Sequence, residues 1–218
     1  MNKEIIIKNY WSDIDQRIEK LCSEGSVKLP SLKGFNLHKV ANDISKEMGN
    51  TTFKELCLSH KIFLKEIELN KYLVPKLFNL AKNIFKFKGN FSNQYHIARK
   101  VEPGNSKEMY RAHFDSHIFT LVLPIKIPKS DVEGESGELI YFPKIRKMPK
   151  HEISNLIGKA YYKKYSSKQG IYKLSKFKKK KVDNFSEYQP LLFLGKTTLH
   201  TNFPVLNKSS SYRLTLLA

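Results

Sequence analysis

The spacing of apolar residues changes near residue 92. Before that point apolar residues recur at helical intervals, for example at Leu37, Val40, Ala41, Ile44 and Met48, which predicts amphipathic helices with one buried face. After it, alternating positions and short apolar runs bounded by glycine or proline predict β-strands. The pattern therefore predicts an α+β chain with a helical first third.

Local signals set the expected ends of the helices. Ser12, with Asp15 three residues later, resembles a capping box, and Gly25 would end the helix that follows. Pro75 is suited to the first turn of another helix, which would end at Gly89. The remaining expectations are helices over 37–49, 51–69 and 150–166 and a mobile loop over 167–187.

Two polar residues in the predicted β region have the spacing of a metal site. His113 and Asp115 are two positions apart, so both side chains point to the same face of an extended segment. His200 lies in a later stretch predicted as strand, turn and strand, with the turn at Gly195. Two imidazoles and one carboxylate bind Fe(II) and leave coordination positions open.

The last segment is expected to be a strand with one polar face. Ser211, Arg213 and Thr215 alternate with Tyr212, Leu214 and Leu216. A polar face turned towards the inside of a barrel normally lines a ligand site. An arginine there can hold a carboxylate through two parallel hydrogen bonds.

Together these residues resemble the iron- and 2-oxoglutarate-dependent oxygenases. The motif HFD at 113–115, the distal His200 and the later Arg213 carry the resemblance, and the strand segments 137–143 and 190–200 agree with it. It covers roughly residues 92–143 and 188–218. It implies a double-stranded β-helix, which is a jelly-roll or cupin-like barrel, with helices in 1–90 buttressing one sheet. Residues 144–187 would be an insertion that covers the active site, and 1–218 a single domain.

The resemblance also implies roles for particular residues. Fe(II) would be held by His113, Asp115 and His200. The far carboxylate of 2-oxoglutarate would pair with Arg213, helped by Thr215 or Ser211 and, from the opposite wall, by Tyr95. With O2 as the remaining reactant, succinate and CO2 would be released. Because related halogenases lack the carboxylate ligand, Asp115 favours hydroxylation.

Several nearby residues are candidates for substrate contact. Arg111 and His117 flank the predicted ligands, and His117 is also an alternative metal ligand. Of His96 and Arg99, on the preceding strand, at most one is expected to face the pocket. The tyrosines of the insertion are further candidates: Tyr161, Tyr162, Tyr165 and Tyr172.

Composition limits the remaining possibilities. The chain has 218 residues, the expected size of one domain, and a formal net charge of +19. Only five of its 39 basic residues are arginine, which favours a general lysine bias over selection for phosphate recognition. The Lys-rich segment 173–182 remains a candidate contact for nucleic acid or another polyanion.

Two cysteines without a CxxC motif indicate a reduced, cytoplasmic setting. No apolar run is long enough to span a membrane.

Alternative functions remain open at this point. Hydroxylation of a small molecule is the favoured one, and the same chemistry on a peptide or a nucleic acid is the second. A cupin-type metal-binding barrel without 2-oxoglutarate would use His113 and His117 and would leave Arg213 without a role. A basic binding module without activity would not explain the inward polar positions.

Overall fold

Helices predominate in the first third of the chain, which also contains two short strands, and they recur in its second half. The structure is a computed structural model and describes residues 3–55, 57–92, 94–105, 109–128, 132, 134–206 and 211–218. Its α-helices are α1 Lys3–Tyr10, α2 Ile14–Glu24, α3 Leu37–Met48, α4 Leu58–Glu66, α5 Leu69–Tyr72, α6 Val74–Asn83, α7 Glu152–Tyr162 and α8 Lys168–Ser175. Short 3₁₀ turns lie at Leu32–Gly34 and Lys163–Tyr165.

The strands form two antiparallel sheets. They are β1 Ser26–Lys28, β2 Phe53–Glu55, β3 Ile97–Val101, β4 Phe119–Lys126, β5 Leu139–Phe142, β6 Lys181–Asp183, β7 Leu191–Leu194, β8 Leu199–Asn202 and β9 Arg213–Leu217. The larger sheet has the order β1-β7-β4-β9-β3-β2, and the smaller has the order β6-β5-β8. The chain is thus a mixed α and β structure, as its periodicity predicts.

The N-terminal helices cover the outer face of the larger sheet. Apolar side chains of the central strands, such as Ala98, Leu123 and Leu216, pack with helical residues such as Leu21 and Phe63 in one buried cluster. Because side chains alternate along a strand, the residues between them face the other way. That inner face therefore carries a different set, which includes Arg99, Thr120, Val122 and Thr215.

The 144–187 insertion covers the outer face of the smaller sheet. Ile171 and Leu174 of α8 pack on Ile140 and Phe142 of β5. The mobile loop expected over 167–187 is therefore wrong, because that segment contains α8 and β6 and its apolar stripe has a sheet to cover. Of the four tyrosines of the insertion, Tyr162 and Tyr165 pack against this outer cluster, and Tyr161 and Tyr172 are exposed.

The inner faces of the two sheets meet in a third apolar cluster. Val122, Leu191 and Phe193 of the larger sheet contact Leu139 and Tyr141 of the smaller one. This cluster fixes the distance between the sheets, and with it the positions of the polar residues that lie farther along the same strands.

Most helix boundaries agree with the sequence prediction, and three do not. Gly25 ends α2 at a φ of 79°, as expected. Ser12 does not cap α2: its hydroxyl donates to the Asn9 carbonyl at 2.9 Å, and Asp13 is the N-cap residue. Residues 53–55 of the expected 51–69 helix form β2 instead, because they pair with β3. The helix expected to reach Gly89 ends at Asn83.

His60 is a fully buried histidine on α4 whose ring nitrogens have no hydrogen-bond partner among the described residues. Its ring lies 5.5 Å from that of His96. Burial first, and then the proximity of His96, lower the pKa of His60 to about 3. The folded protein therefore holds this imidazole in its neutral form.

We predict that His60 makes the fold sensitive to acid. The pKa of His60 in the folded state lies below its unfolded value of about 6.5. The contribution of neutral His60 to the free energy of unfolding is therefore fully present above pH 6.5 and is lost as the pH falls towards about 3. The free energy of unfolding should fall by up to about 1.4 kcal/mol per pH unit in that range. Urea titrations of the parent and of His60→Leu, at several pH values, measure this slope.

The free energy of unfolding of His60→Leu should depend less steeply on pH than that of the parent. Part of the pH dependence should remain, because burial also lowers the pKa of half-buried His96. His38→Leu, at an exposed histidine of α3, is the matched control and should keep the parent slope. Equal slopes for the parent and His60→Leu would contradict the prediction.

Candidate metal centre

A backbone bridge joins the two histidines of the predicted site. His113 and His200 exchange both N–H···O bonds, each 3.0 Å long, as directly opposed residues in an antiparallel pair. His200 belongs to β8, whereas His113 lies in the segment that leads from β3 to β4. The two imidazole centroids are consequently only 4.3 Å apart.

Asp115 completes the group. Its Oδ1 atom lies 3.7 Å from Nε2 of His113 and 3.7 Å from Nε2 of His200. One potential ligand atom from each residue falls within 4.8 Å of the others, which is close enough to share one metal ion. In the part of the chain that the structure describes, no other group of three histidine, cysteine or acidic residues does so.

The ring orientations leave the Nε2 atoms available. Nδ1 of His113 lies 2.8 Å from the Arg111 carbonyl, and Nδ1 of His200 lies 3.3 Å from the Thr198 carbonyl. A proton on each Nδ1 would satisfy both contacts and leave the Nε2 lone pairs free. This is the arrangement by which outer partners orient metal-binding histidines.

Asp115 is held in place from behind. The Thr120 hydroxyl donates to Asp115 Oδ2 at 2.5 Å. The other carboxylate oxygen, Oδ1, therefore faces the two histidines. The Asp115 backbone N–H donates to the Gly195 carbonyl at 3.2 Å. A Cβ at Gly195 would lie 2.7 Å from the Thr120 hydroxyl and 3.0 Å from the Asp115 Cβ, so only glycine allows this close packing.

The charges of the three groups are coupled. Repulsion from His200, together with burial, lowers the pKa of His113 to about 4. Burial alone would raise the pKa of Asp115, but the two imidazoles and the Thr120 hydroxyl outweigh it and hold that pKa below its usual value. The group therefore presents a carboxylate and a neutral imidazole near neutral pH, the forms that bind metals.

Arg213 is buried on the same inner face. Its guanidinium donates to the Gly137 carbonyl and, at 2.6 Å, to Asn202 Oδ1, both of which are neutral acceptors. Its Nε atom is buried without a partner among the described residues. Burial first, and then repulsion from Arg99, lower the pKa of Arg213 to about 9. A buried cation with neutral partners is suited to an anionic ligand.

Arg99 is one of the two residues on the preceding strand that the sequence left as alternatives. It stands opposite Thr215 in the β3–β9 register, two positions from the Val101–Arg213 pair, so Arg99, Arg213 and Thr215 share one face. Asp115 and Arg111 are close enough to Arg99 to affect its pKa, which burial lowers. Of the two alternatives considered, Arg99 faces inward and His96 lies beside His60. The strand register, which the sequence does not give, was the missing signal.

The remaining predicted residues are Tyr95, Arg111, His117 and Ser211. The Tyr95 hydroxyl donates to Glu55, and its ring stacks on His117 with centroids 5.5 Å apart. Tyr95 precedes β3 at the end opposite the Val101–Arg213 pair, so the structure does not bring it to the arginine. Arg111 and His117 are exposed, and half-buried Ser211 lies two residues before the start of β9.

Solved structures share this architecture. A prolyl 4-hydroxylase from Phytophthora capsici aligns over 99% of this chain and 64% of its own, with a TM-score of 0.53 and 13% identity. A Pseudomonas putida prolyl-4-hydroxylase aligns over 93% of this chain and 95% of its own, with a TM-score of 0.55 and 11% identity. The α-ketoglutarate-dependent epimerase SnoN of nogalamycin biosynthesis aligns over 94% of this chain and 82% of its own, with a TM-score of 0.56 and 10% identity.

This chain has the fold of the iron- and 2-oxoglutarate-dependent oxygenases. The resemblance predicted from the sequence is thus confirmed for the fold. The chain spans less than two thirds of the Phytophthora protein. No protein-family model and no curated protein matches the chain. The named activities of the similar structures, a hydroxylase and an epimerase among them, show that this oxygenase fold does not by itself specify a reaction.

A groove of about 820 Å³ opens at the candidate metal centre. His113, Asp115 and Thr120 line one end. The remaining wall is mostly apolar and includes Leu69, Leu77, Phe78, Phe87 and Phe91. Its size is that of a site for one small molecule.

We predict that Thr120 positions Asp115 for metal binding. Thr120→Val keeps the shape of the side chain but removes the donor to Oδ2, so the carboxylate can rotate away. The affinity for Fe(II) or Co(II), measured by anaerobic titration, should fall by about tenfold or more.

Thr120→Ser is the matched control, because it retains the hydroxyl and should bind the metal nearly as well as the parent. If Thr120→Val binds the metal as tightly as the parent, the hydrogen bond to Asp115 is not needed for the site.

Proposed function

We propose that this protein is an Fe(II)- and 2-oxoglutarate-dependent dioxygenase that hydroxylates a small molecule and releases succinate and CO2. One observation carries the proposal: on an oxygenase fold, β8 carries both His200 of a histidine–aspartate–histidine group and, two residues later, Asn202, which accepts a hydrogen bond from the buried cation Arg213. We further infer that the two facing sheets form the double-stranded β-helix of that family and that residues 1–218 act as one domain.

The donor set suits Fe(II). His113 and His200 would bind through Nε2 and Asp115 through Oδ1, as one face of the coordination sphere. When bound, Fe(II) with 2-oxoglutarate and O2 supplies the oxidising chemistry. The protein contributes orientation: the carbonyls of Arg111 and Thr198 fix the two rings, and Thr120 fixes the carboxylate.

Arg213 would hold the far carboxylate of 2-oxoglutarate. Its neutral partners leave its positive charge uncompensated by direct contact, and Asn202 and Gly137 aim the guanidinium. Thr215 and Arg99 share its face, and Ser211 lies two residues before it in the chain. We infer that Arg99 adds a second positive charge to the anion site. Tyr95, in contrast, would act at the groove with His117.

The groove supports a small-molecule substrate with an apolar portion. Leu77, Phe78 and Phe91 would bury that portion, while the atoms to be oxidised would lie near Asp115 and His113. Exposed Arg111 and His117 would contact polar groups of the substrate. A peptide substrate is the second candidate, because similar structures include prolyl 4-hydroxylases.

We predict that Fe(II) and 2-oxoglutarate bind together. Adding both to the purified protein without O2 should give a metal-to-ligand charge-transfer band in the visible spectrum. His113→Ala and His200→Ala should not bind iron and should show no band, because each loses one of three protein ligands.

His38→Ala, which removes an exposed histidine, is the control and should give the parent spectrum. Iron binding without a band on adding 2-oxoglutarate would favour a cupin-type metal-binding barrel. Normal iron binding by both ligand variants would refute the ligand assignment.

We predict that Arg213→Gln separates cosubstrate binding from metal binding. Loss of the buried guanidinium should raise the 2-oxoglutarate concentration for half-maximal band intensity by roughly a hundredfold, with little change in iron affinity.

Arg17→Gln, which removes a surface arginine paired with Asp13, is the control and should leave both values unchanged. An unchanged 2-oxoglutarate requirement in Arg213→Gln would show that another residue, of which Arg99 is the best placed, anchors the cosubstrate.

A further inference from the structure

Helix α7 has its apolar face turned to the solvent. Ile153, Leu156, Ile157 and Tyr161 are 73%, 63%, 65% and 57% exposed, whereas the buried residue of the helix is the polar Asn155. The four exposed side chains fall on one side of the helix. A contiguous apolar face on the outside of a protein marks an interaction surface, because leaving it in water is unfavourable.

Contacts of the polar side of α7 with the rest of the protein hold the helix with its apolar side towards the solvent. Asn155 accepts a hydrogen bond from Arg146 Nη2 at 2.7 Å through its side chain, and Arg146 also donates to the Lys196 carbonyl at 2.7 Å. The Arg146 guanidinium lies 3.7 Å from the centre of the Phe114 ring. These contacts fix the polar side of α7 to the protein, so the apolar side must face outward.

Lysines surround the apolar face. Residues 150–181 contain eleven lysines and one acidic residue. Two more large side chains are exposed among them, Tyr172 at 64% and Phe177 at 82%. Lys164 lies 3.9 Å above the Tyr161 ring, and Lys176 lies 4.8 Å from the Tyr172 ring. Apolar and aromatic side chains flanked by lysines are typical of segments that lie in the surface of a membrane.

We propose that α7 and the segment 172–180 dock this protein on the surface of an anionic lipid bilayer. Ile153, Leu156 and Ile157 enter the boundary between headgroups and acyl chains, and the surrounding lysines contact anionic headgroups. No described helix of this chain is long and apolar enough to cross a membrane, so the attachment is peripheral.

The observations favour a lipid surface over two other partners. Nucleic acid would leave the aliphatic side chains of α7 in water, and the single arginine between 144 and 187, Arg146, is engaged inside the protein. A second copy would bring two lysine-rich surfaces of the same sign together. An anionic bilayer matches both the apolar face and the charge.

The proposed surface is separate from the metal centre. No residue of α7 or α8 lines the groove at the metal centre. The docking proposal can therefore be refuted while the proposed oxygenase activity is confirmed. The oxygenase activity can likewise be refuted while the docking is confirmed.

Vesicle flotation of the full-length protein tests the proposal. We expect the parent to float with vesicles of phosphatidylcholine and phosphatidylglycerol at low salt, and not with vesicles of phosphatidylcholine alone. Lys178→Gln/Lys179→Gln/Lys180→Gln should bind about a hundredfold more weakly, since each lysine near a charged bilayer contributes about a fivefold factor. Leu156→Gln/Ile157→Gln should reduce binding by at least about tenfold.

Helix α4 supplies a matched control. Leu58→Gln/Ile62→Gln removes two apolar residues that are 63% and 58% exposed and should leave vesicle binding unchanged. Because all substituted side chains are exposed, thermal melting should show parent stability for every variant.

Four results would overturn the proposal. The first is the absence of parent binding to the anionic vesicles, and the second is equal binding by Leu156→Gln/Ile157→Gln and the parent. The third is tighter binding to duplex DNA or transfer RNA, lost in the lysine variant and kept in the apolar one, which would identify a nucleic-acid surface. Concentration-dependent dimerisation abolished by Leu156→Gln/Ile157→Gln would also overturn it, in favour of a second copy.

Discussion

The antiparallel bridge between His113 and His200 is the interaction on which the candidate site depends. Two backbone hydrogen bonds align residues that are far apart in the sequence, and both imidazoles then point to the same side of the backbone. Asp115 follows at the next position on that face, and the Gly195 carbonyl fixes its backbone. A ligand set is thus assembled by main-chain geometry, with Thr120 as the side chain that orients it.

The bridge holds because each sheet is covered on its outer face. The N-terminal helices pack on the larger sheet, and α8 packs on the smaller one. With both outer faces buried, the inner faces carry an apolar cluster around Phe193 and a polar region around Arg213. The polar region is thereby removed from bulk water, and an ionic contact to a ligand is stronger there than at the surface.

Burial has different consequences at three basic side chains of this chain. Arg213 stays charged, because its pKa falls only to about 9, and can bind an anion. His60 is held neutral, and this is the basis for the acid sensitivity that we predict. Arg146 is only partly buried and connects α7 to the core, which turns the apolar side of that helix outward. The environment of each group, more than its residue type, decides whether it contributes to binding, to stability or to the shape of the surface.

The sequence by itself determined the class of the fold, most helix positions, and the residue types of the candidate site. Periodicity and the spacing of His113 and Asp115 are local properties, so a single chain records them. Only the tertiary structure decided that Arg99 faces inward while His96 does not, that Thr120 contacts Asp115 and Asn202 contacts Arg213, and that α8 of the insertion packs on the smaller sheet. These facts depend on strand register and on contacts between distant segments. A register shifted by one residue would turn every side chain of that strand to the opposite face of the sheet.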